Sequence, residues 1–207
     1  MQISKINNNN VNFRSNINLI DSRKYFKVTE KLESGISFVD FPWTPKDIVK
    51  GQRAITEDIK SCTAGGIIVE GINKIREVVM FHLNPDLDDC KDFNKVEKAL
   101  TEKIGTAKPL QAFMVGSKKD DSFLKYSGEY FDNLWKNVIS KFNVPTSFLK
   151  GIPMGGHLVD LCCDAPNDTW YVSCSVRDEV PRFSSSRKSF TGFDIVQLSE
   201  KDHLTFD

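Results

Sequence analysis

The stretch TEDIKSCTAGGIIVEGINKIREVVMFHLNP, residues 56–85, decides the fold. It contains two apolar, β-branched pieces, residues 65–72 and 75–83, which have the composition of strands. Asn73 and Lys74 lie between them and suit a two-residue turn. The stretch therefore predicts a β-hairpin in which paired residues have numbers that sum to about 147.

This register brings a cysteine and a histidine to the same open end of the hairpin. Residue 82 faces residue 65, so Cys62 and His82 are predicted to lie ~10 Å or less apart, at ~3.3 Å per strand residue. A bulge or bend at Gly65 and Gly66 is expected to close the remaining gap. We therefore predict a thiol–imidazole pair within hydrogen-bond reach. The competing interpretation is that Cys62 packs as a small buried apolar side chain.

Bulk composition excludes several classes of protein. The 207 residues suit one domain with a real core, and the 28 basic residues balance the 28 acidic ones. A nucleic-acid-binding protein normally has a basic excess, so no nucleic-acid partner is expected. The sequence has no apolar run near the ~18 residues that a membrane span needs, and no signal-peptide pattern.

The cysteines favour neither disulfides nor zinc. Their number is odd, and Cys162 and Cys163 are adjacent, so a reducing compartment is the better expectation. The residues His157, Asp160 and Cys174 complete a conceivable zinc set with that pair. Neighbouring residues of a strand point to opposite faces, however, so both cysteines can hardly bind one ion. We expect no metal and no organic cofactor.

The N-terminal segment differs from the rest of the chain. Residues 1–18 are rich in Asn, Ser and Ile, with four consecutive asparagines at 7–10, so the segment as a whole can bury little apolar surface. We predict a mobile segment over residues 1–33 and a single catalytic domain over residues 34–207. The polar N-terminus resembles the secretion signals of bacterial type III effectors. That resemblance implies secretion into a host cytoplasm; a cytoplasmic location is the alternative.

Helices and strands occur in separate blocks along the chain. Apolar spacing predicts helices over residues 92–104 and 130–142. Alternating residues predict a second hairpin, with strands 157–163 and 169–176. The order predicts an α+β fold: a layered, mostly antiparallel sheet or sandwich with segregated flanking helices.

Three residues and their spacing resemble the CheD-type protein deamidases, a superfamily that includes the catalytic domains of the cytotoxic necrotising factors and the Burkholderia lethal factor. Thr56 precedes Cys62 by six residues, and His82 follows it by twenty. The segment IKSCT, residues 59–63, resembles the toxins' LSGCT and the chemotaxis enzymes' LGSC. Lys60 departs from both patterns, which places a charge near the pocket.

The order of downstream segments is also similar to that of CheD. The helix 130–142 is followed by the Val-Pro pair at 144–145, the segment PMGGH at 153–157 and LVDL at 158–161. The resemblance covers roughly residues 50–176. It implies a CheD-like fold and hydrolysis of a glutamine side-chain amide in a protein substrate, which for an effector is a host protein. We expect a monomer.

The resemblance also implies a role for each site residue. Cys62 is the nucleophile, His82 exchanges the protons, and Thr56 orients the imidazole or the substrate amide. A papain-like protease or acyltransferase that uses Cys62, His157 and Asp160 is a second interpretation, because the nucleophiles of the two classes look alike in sequence. A non-catalytic binding module is a third.

Overall fold

Two β-sheets form most of the described part of the protein, and the longer helices lie beside one of them. The computed structural model describes residues 16–20, 29, 31–32, 35–59, 61–117, 127–152, 157–176, 188–189, 196–198 and 204–205. The strands are β1 Asn16–Ile20, β2 Ile36–Phe38, β3 Val49–Gly51, β4 Arg53–Ile59, β5 Thr63–Glu70, β6 Arg76–Leu83, β7 Lys108–Ser117, β8 Thr146–Ile152, β9 His157–Asp164, β10 Thr169–Val176, β11 Lys188–Ser189, β12 Val196–Leu198 and β13 Leu204–Thr205.

The two sheets share no strand. Sheet 1 has the order β12-β1-β10-β9-β4-β2, with β11 also paired to β10. Sheet 2 has the order β13-β8-β7-β5-β6-β3. Most neighbours are antiparallel; the parallel pairs are β1 with β10, β2 with β4, β7 with β8, and β8 with β13.

Apolar side chains divide the protein into three layers. One buried cluster fills the space between the sheets and includes Ala54, Met80 and Trp170. A second cluster lies between the other face of sheet 2 and the helices and includes Phe81 and Leu100. A third, small cluster holds Ile55 and Cys162 with Leu32 packed against it, on the outer face of sheet 1. The predicted α+β class is confirmed, since helices and two mostly antiparallel sheets occur together.

Three α-helices have both ends within the described residues, and local chemistry explains the ends of the longest of them. They are α1 Asp88–Lys91, α2 Phe93–Ile104 and α3 Ser127–Asn137. The Asp92 carboxylate accepts hydrogen bonds from two backbone N–H groups of the first turn of α2, and Gly105 ends it with φ 61°. The predicted helix 130–142 is shorter than expected: after α3, Val138 leaves helical geometry and a 3-10 turn covers residues 139–142. No helix in the described ranges is long and apolar enough to cross a membrane.

The central hairpin exists, but its register differs by one residue from the prediction. Ala64, and not Gly65, faces His82. The loop has three residues, because the Gly71 N–H donates to the Ile75 carbonyl and Lys74 adopts a left-handed φ of 58°. A turn followed by one left-handed residue is the usual three-residue hairpin loop.

The expected bulge at the two glycines is wrong. Residues 63–70 of β5 pair with β6 without interruption. A Cβ atom on Gly65 would lie 2.2 Å from the carbonyl oxygen of Phe113 in β7, and one on Gly66 would lie 2.9 Å from the carbonyl oxygen of Val79. The glycines therefore permit close packing of strands and do not bend the chain.

Part of the predicted N-terminal segment belongs to sheet 1. Asn16–Ile20 forms β1 between β10 and β12, and the Ile17 side chain is fully buried. Alternation of Asn16 and Asn18 with apolar neighbours explains why these residues form a strand. Residues 1–15 lie outside the described residues, so the predicted mobility and the domain limits stay predictions.

Candidate active site

A β-bulge interrupts β4 near its end, where Ile59 still pairs with Val159 of sheet 1. The register against β9 shifts between Thr56 and Ile59, and Asp58 has a left-handed φ of 60°. The Asp58 N–H donates a hydrogen bond of 3.1 Å to the Asp160 carboxylate. A bulge bends its strand, and after Ile59 the chain crosses to sheet 2, where Cys62 immediately precedes β5.

The predicted Thr56 and His82 meet across the space between the sheets. A hydrogen bond of 2.8 Å joins Thr56 Oγ1 to His82 Nδ1, and both side chains are fully buried. His82 lies two residues after Met80, so it projects from the same face of β6 into the space between the sheets. The bond fixes one nitrogen of the imidazole.

The second imidazole nitrogen is unoccupied. His82 Nε2 is buried and has no hydrogen-bond partner among the described residues. Cys62 is also buried, with 3% of its surface exposed, but it forms no hydrogen bond with His82. The predicted thiol–imidazole hydrogen bond is therefore not formed in this conformation, although both residues lie at the same end of the hairpin.

Burial holds both groups in their uncharged forms. It raises the pKa of the Cys62 thiol to about 12; a side-chain hydrogen bond with Ser61 opposes this, and the charges of Cys90 and Asp86 add to it. Burial alone lowers the pKa of His82 to about 3. Near neutral pH the site thus holds a thiol and a neutral imidazole, whereas nucleophilic attack needs a thiolate.

Trp43, which is not one of the predicted site residues, covers the imidazole. The Trp43 indole stacks on His82 with ring centroids 4.3 Å apart and planes 11° from parallel. The Trp43 carbonyl oxygen accepts a hydrogen bond from Asn84 N–H at 3.0 Å and from Cys90 Sγ at 3.4 Å. Sequence offers only a weak indication of this contact, since a tryptophan beside Pro42 is common in ordinary cores.

A cavity of about 500 Å³ lies on the helix side of the hairpin end. Burial, and then the charges of Cys90 and Cys62, raises the pKa of its wall residue Tyr130 above the usual range. The Tyr130 hydroxyl donates to the Cys90 carbonyl at 2.9 Å. Tyr130 thus connects the cavity wall to Cys90, whose Sγ donates to the carbonyl of Trp43 beside the imidazole. The cavity walls include Pro85, Asp86, Phe93, Tyr130 and Asn133.

The papain-like set and the conceivable zinc set lie only partly within the described residues. Asp160 lies between Val159 and Leu161, which face the space between the sheets, so its carboxylate faces the other side of sheet 1. His157 is the first residue of β9, and its side chain lies outside the described residues, as do Lys60 and residues 153–156.

The expectation that the adjacent cysteines point apart is confirmed. Cys163 lies in the cluster between the sheets, whereas Cys162 packs with Ile55 on the opposite face of sheet 1. Among the side chains that the structure describes, no group of three or more His, Cys, Asp or Glu residues is placed to hold a metal ion.

We compared the chain with protein-family models, with curated proteins and with solved structures, and none of the three comparisons found a match.

Proposed function

We propose that the protein is a cysteine-dependent amidase that converts a glutamine side chain of a protein substrate to glutamate. The observation that carries the proposal is the buried Thr56–His82 bond, together with an Nε2 atom that bonds to none of the described residues. A histidine with one nitrogen fixed and the other vacant has the arrangement of an oriented general base. The sequence resemblance to the CheD-type deamidases adds the substrate class and the CheD-like fold.

Thr56 selects the tautomer of His82 in this proposal. When Nδ1 carries the ring proton, its N–H donates a hydrogen bond to Thr56 Oγ1, and Nε2 keeps a lone pair that can accept a proton. Thr56 therefore orients the imidazole, and Cys62 is the group whose proton Nε2 accepts. Thr56 lies on sheet 1 and His82 on sheet 2, so the packing of the two sheets sets this geometry.

The reaction proceeds in two stages. The Cys62 proton passes to His82 Nε2, and the thiolate attacks the carboxamide carbon to form a tetrahedral oxyanion. That intermediate collapses to a thioester while His82 returns the proton to the departing nitrogen, which leaves as ammonia. A water molecule then gives a proton to His82 and attacks the thioester, which releases glutamate and regenerates the thiol. The steps need no metal or organic cofactor.

The resting conformation has to change before attack. A thiol with a pKa of about 12 does not give its proton readily to an imidazole with a pKa of about 3, and burial is the main cause of both shifts. A polar carboxamide that enters beside Cys62 replaces part of the lost hydration and brings the two values together. We infer that the substrate enters from the cavity lined by Asp86 and Tyr130, because Tyr130 bonds to Cys90 and Cys90 bonds to Trp43, the residue stacked on His82.

Mass spectrometry of candidate protein substrates, together with ammonia assay, tests the proposal. Deamidation gives the small mass increase of an amide converted to an acid, and it gives no fragments. The wild-type protein should release ammonia and Cys62→Ala should not, while Cys162→Ala is the matched control because that buried thiol lies on the far face of sheet 1. Equal ammonia release by wild type and Cys62→Ala would refute the proposed function.

A non-catalytic module is the second candidate, and the raised pKa of Cys62 favours it. The two candidates differ in the reactivity of the thiols. A catalytic Cys62 that His82 activates should react with iodoacetamide faster than Cys90, although burial raises the pKa of Cys62 to about 12 and that of Cys90 only to about 11. If both cysteines react only on unfolding, the thiol is structural.

We further propose that the substrate is a host protein reached after bacterial secretion. The support is the Asn- and Ser-rich composition of residues 1–18 and the resemblance to effector deamidases. A reporter fused behind residues 1–33 should be exported by a type III system. Retention of that reporter in the bacterium would leave a cytoplasmic enzyme as the alternative.

A further inference from the structure

We propose that Trp43 is a positioning residue for the active-site imidazole, an inference that rests on the proposed function. The indole is stacked nearly parallel on the His82 ring at 4.3 Å. It fixes the plane of the ring, while Thr56 fixes one of its nitrogens. Together the two contacts determine the direction in which Nε2 presents its lone pair.

One hydrogen bond does not orient a histidine ring. The terminal torsion of a histidine side chain is broad, so a ring held only at Nδ1 can tilt about that bond. A second contact on the flat face of the ring restricts that tilt, since stacked aromatic rings tolerate only small changes of angle and separation. Trp43 supplies that contact with planes only 11° apart.

Trp43 is itself held firmly in place. Its φ of 65° lies in the left-handed region, which is unusual for a bulky side chain. Its N–H donates to the Asp40 carbonyl at 3.3 Å, and its own carbonyl accepts from Asn84 and from Cys90. Asn84 is two residues from His82, so the same end of β6 positions both the imidazole and the tryptophan that covers it. These contacts hold the backbone from which the indole projects over the imidazole.

The Trp43 indole also suits the positive charge that forms on His82 during the reaction. When His82 accepts a proton it becomes a cation inside a buried site, where little water can stabilise it. The face of an indole carries negative charge density and attracts a cation placed over it. Trp43 therefore stabilises the protonated intermediate more than the resting neutral imidazole, and the loss of the indole should lower kcat more than it raises KM.

Two substitutions and a matched control test the inference. Trp43→Leu removes the aromatic face and keeps an apolar side chain, whereas Trp43→Phe keeps a smaller aromatic face. Trp135→Leu is the control, because Trp135 is 40% exposed on α3 and contacts Phe148 edge-on, away from His82. The readouts are the proton NMR signal of the His82 Nδ1–H group and the kinetics of ammonia release from carbobenzoxy-glutaminyl-glycine.

In Trp43→Leu we expect the Nδ1–H signal to broaden or disappear and kcat to fall about tenfold, with KM changed less than about twofold. Trp43→Phe should recover the signal and most of kcat, and Trp135→Leu should match wild type in both. A sharp Nδ1–H signal in folded Trp43→Leu would overturn the inference, even if its chemical shift moves because the indole ring current is lost, and even if the melting temperature falls. If wild type and Cys62→Ala are equally inactive on this substrate and on the candidate protein substrates while the signal responds as expected, the proposed function fails and the positioning role stands.

Discussion

Acidification should destabilise the protein through His82. The imidazole is fully buried, and burial lowers its pKa from 6.5 to about 3. Between these values the unfolded chain binds a proton that the folded chain does not, so stability falls as pH falls. At pH 5, about one and a half pH units below the unfolded value, the loss relative to pH 7.5 is about 2 kcal/mol.

Urea unfolding of wild type and His82→Asn at the two pH values measures this contribution. Asparagine cannot take up a proton, and its side chain places a polar atom near the position of Nδ1, so the bond with Thr56 has a substitute. Asp168, whose pKa burial raises, contributes in the opposite direction, but it is present in both proteins and cancels in the comparison. His203→Asn is the control for a histidine of the polar tail.

The expected result is a stability loss between pH 7.5 and pH 5 that is about 2 kcal/mol larger in wild type than in His82→Asn. His203→Asn should behave as wild type. If wild type and His82→Asn lose the same stability, His82 is hydrated in solution. The closed site with a neutral, buried imidazole would then be incorrect.

Three further perturbations probe how the chain builds the site. Gly65→Ala should lower the free energy of unfolding by about 1–3 kcal/mol or more, because the new methyl group would meet the backbone carbonyl of Phe113. Gly71→Ala should be nearly neutral, because its methyl group would lie 3.7 Å from the nearest atom, the Ile75 carbonyl oxygen. Urea unfolding of the two variants measures both effects. Asp160→Ala removes the carboxylate that accepts the hydrogen bond of the Asp58 N–H, and it should lower the free energy of unfolding by about 1–3 kcal/mol. Equal stability of Asp160→Ala and wild type would refute a role for this bond in the bulge. Deletion of residues 1–33 should lower the melting temperature because it removes β1 and a fully buried isoleucine, and an unchanged melting temperature would show that β1 is dispensable.

Local patterns predicted the elements whose causes are local. The helix over residues 92–104 was correct because Asp92 caps its start and Gly105 ends it. The hairpin was correct in place, but its register was wrong by one residue, since the left-handed conformation of Lys74 is not visible in the composition of the turn. The α+β class followed from the separation of helices and strands.

Contacts between distant segments were the part that sequence could not supply. The Thr56–His82 bond depends on the packing of two sheets, and only the family resemblance suggested that pair. Trp43 was missed because its stacking on His82 depends on how two distant segments pack. The bulge of β4 was missed because Asp160, which accepts its N–H, lies on a strand far along the chain.

Ammonia release by single and double variants tests the central claim most directly. Cys62→Ala and His82→Ala should each abolish release from a glutamine substrate, and the double variant should lose no more than either, because nucleophile and base act as a unit. His157→Ala, if folded, should keep substantial activity. The opposite pattern, an inactive His157→Ala and an active His82→Ala, would contradict the account and support the papain-like arrangement.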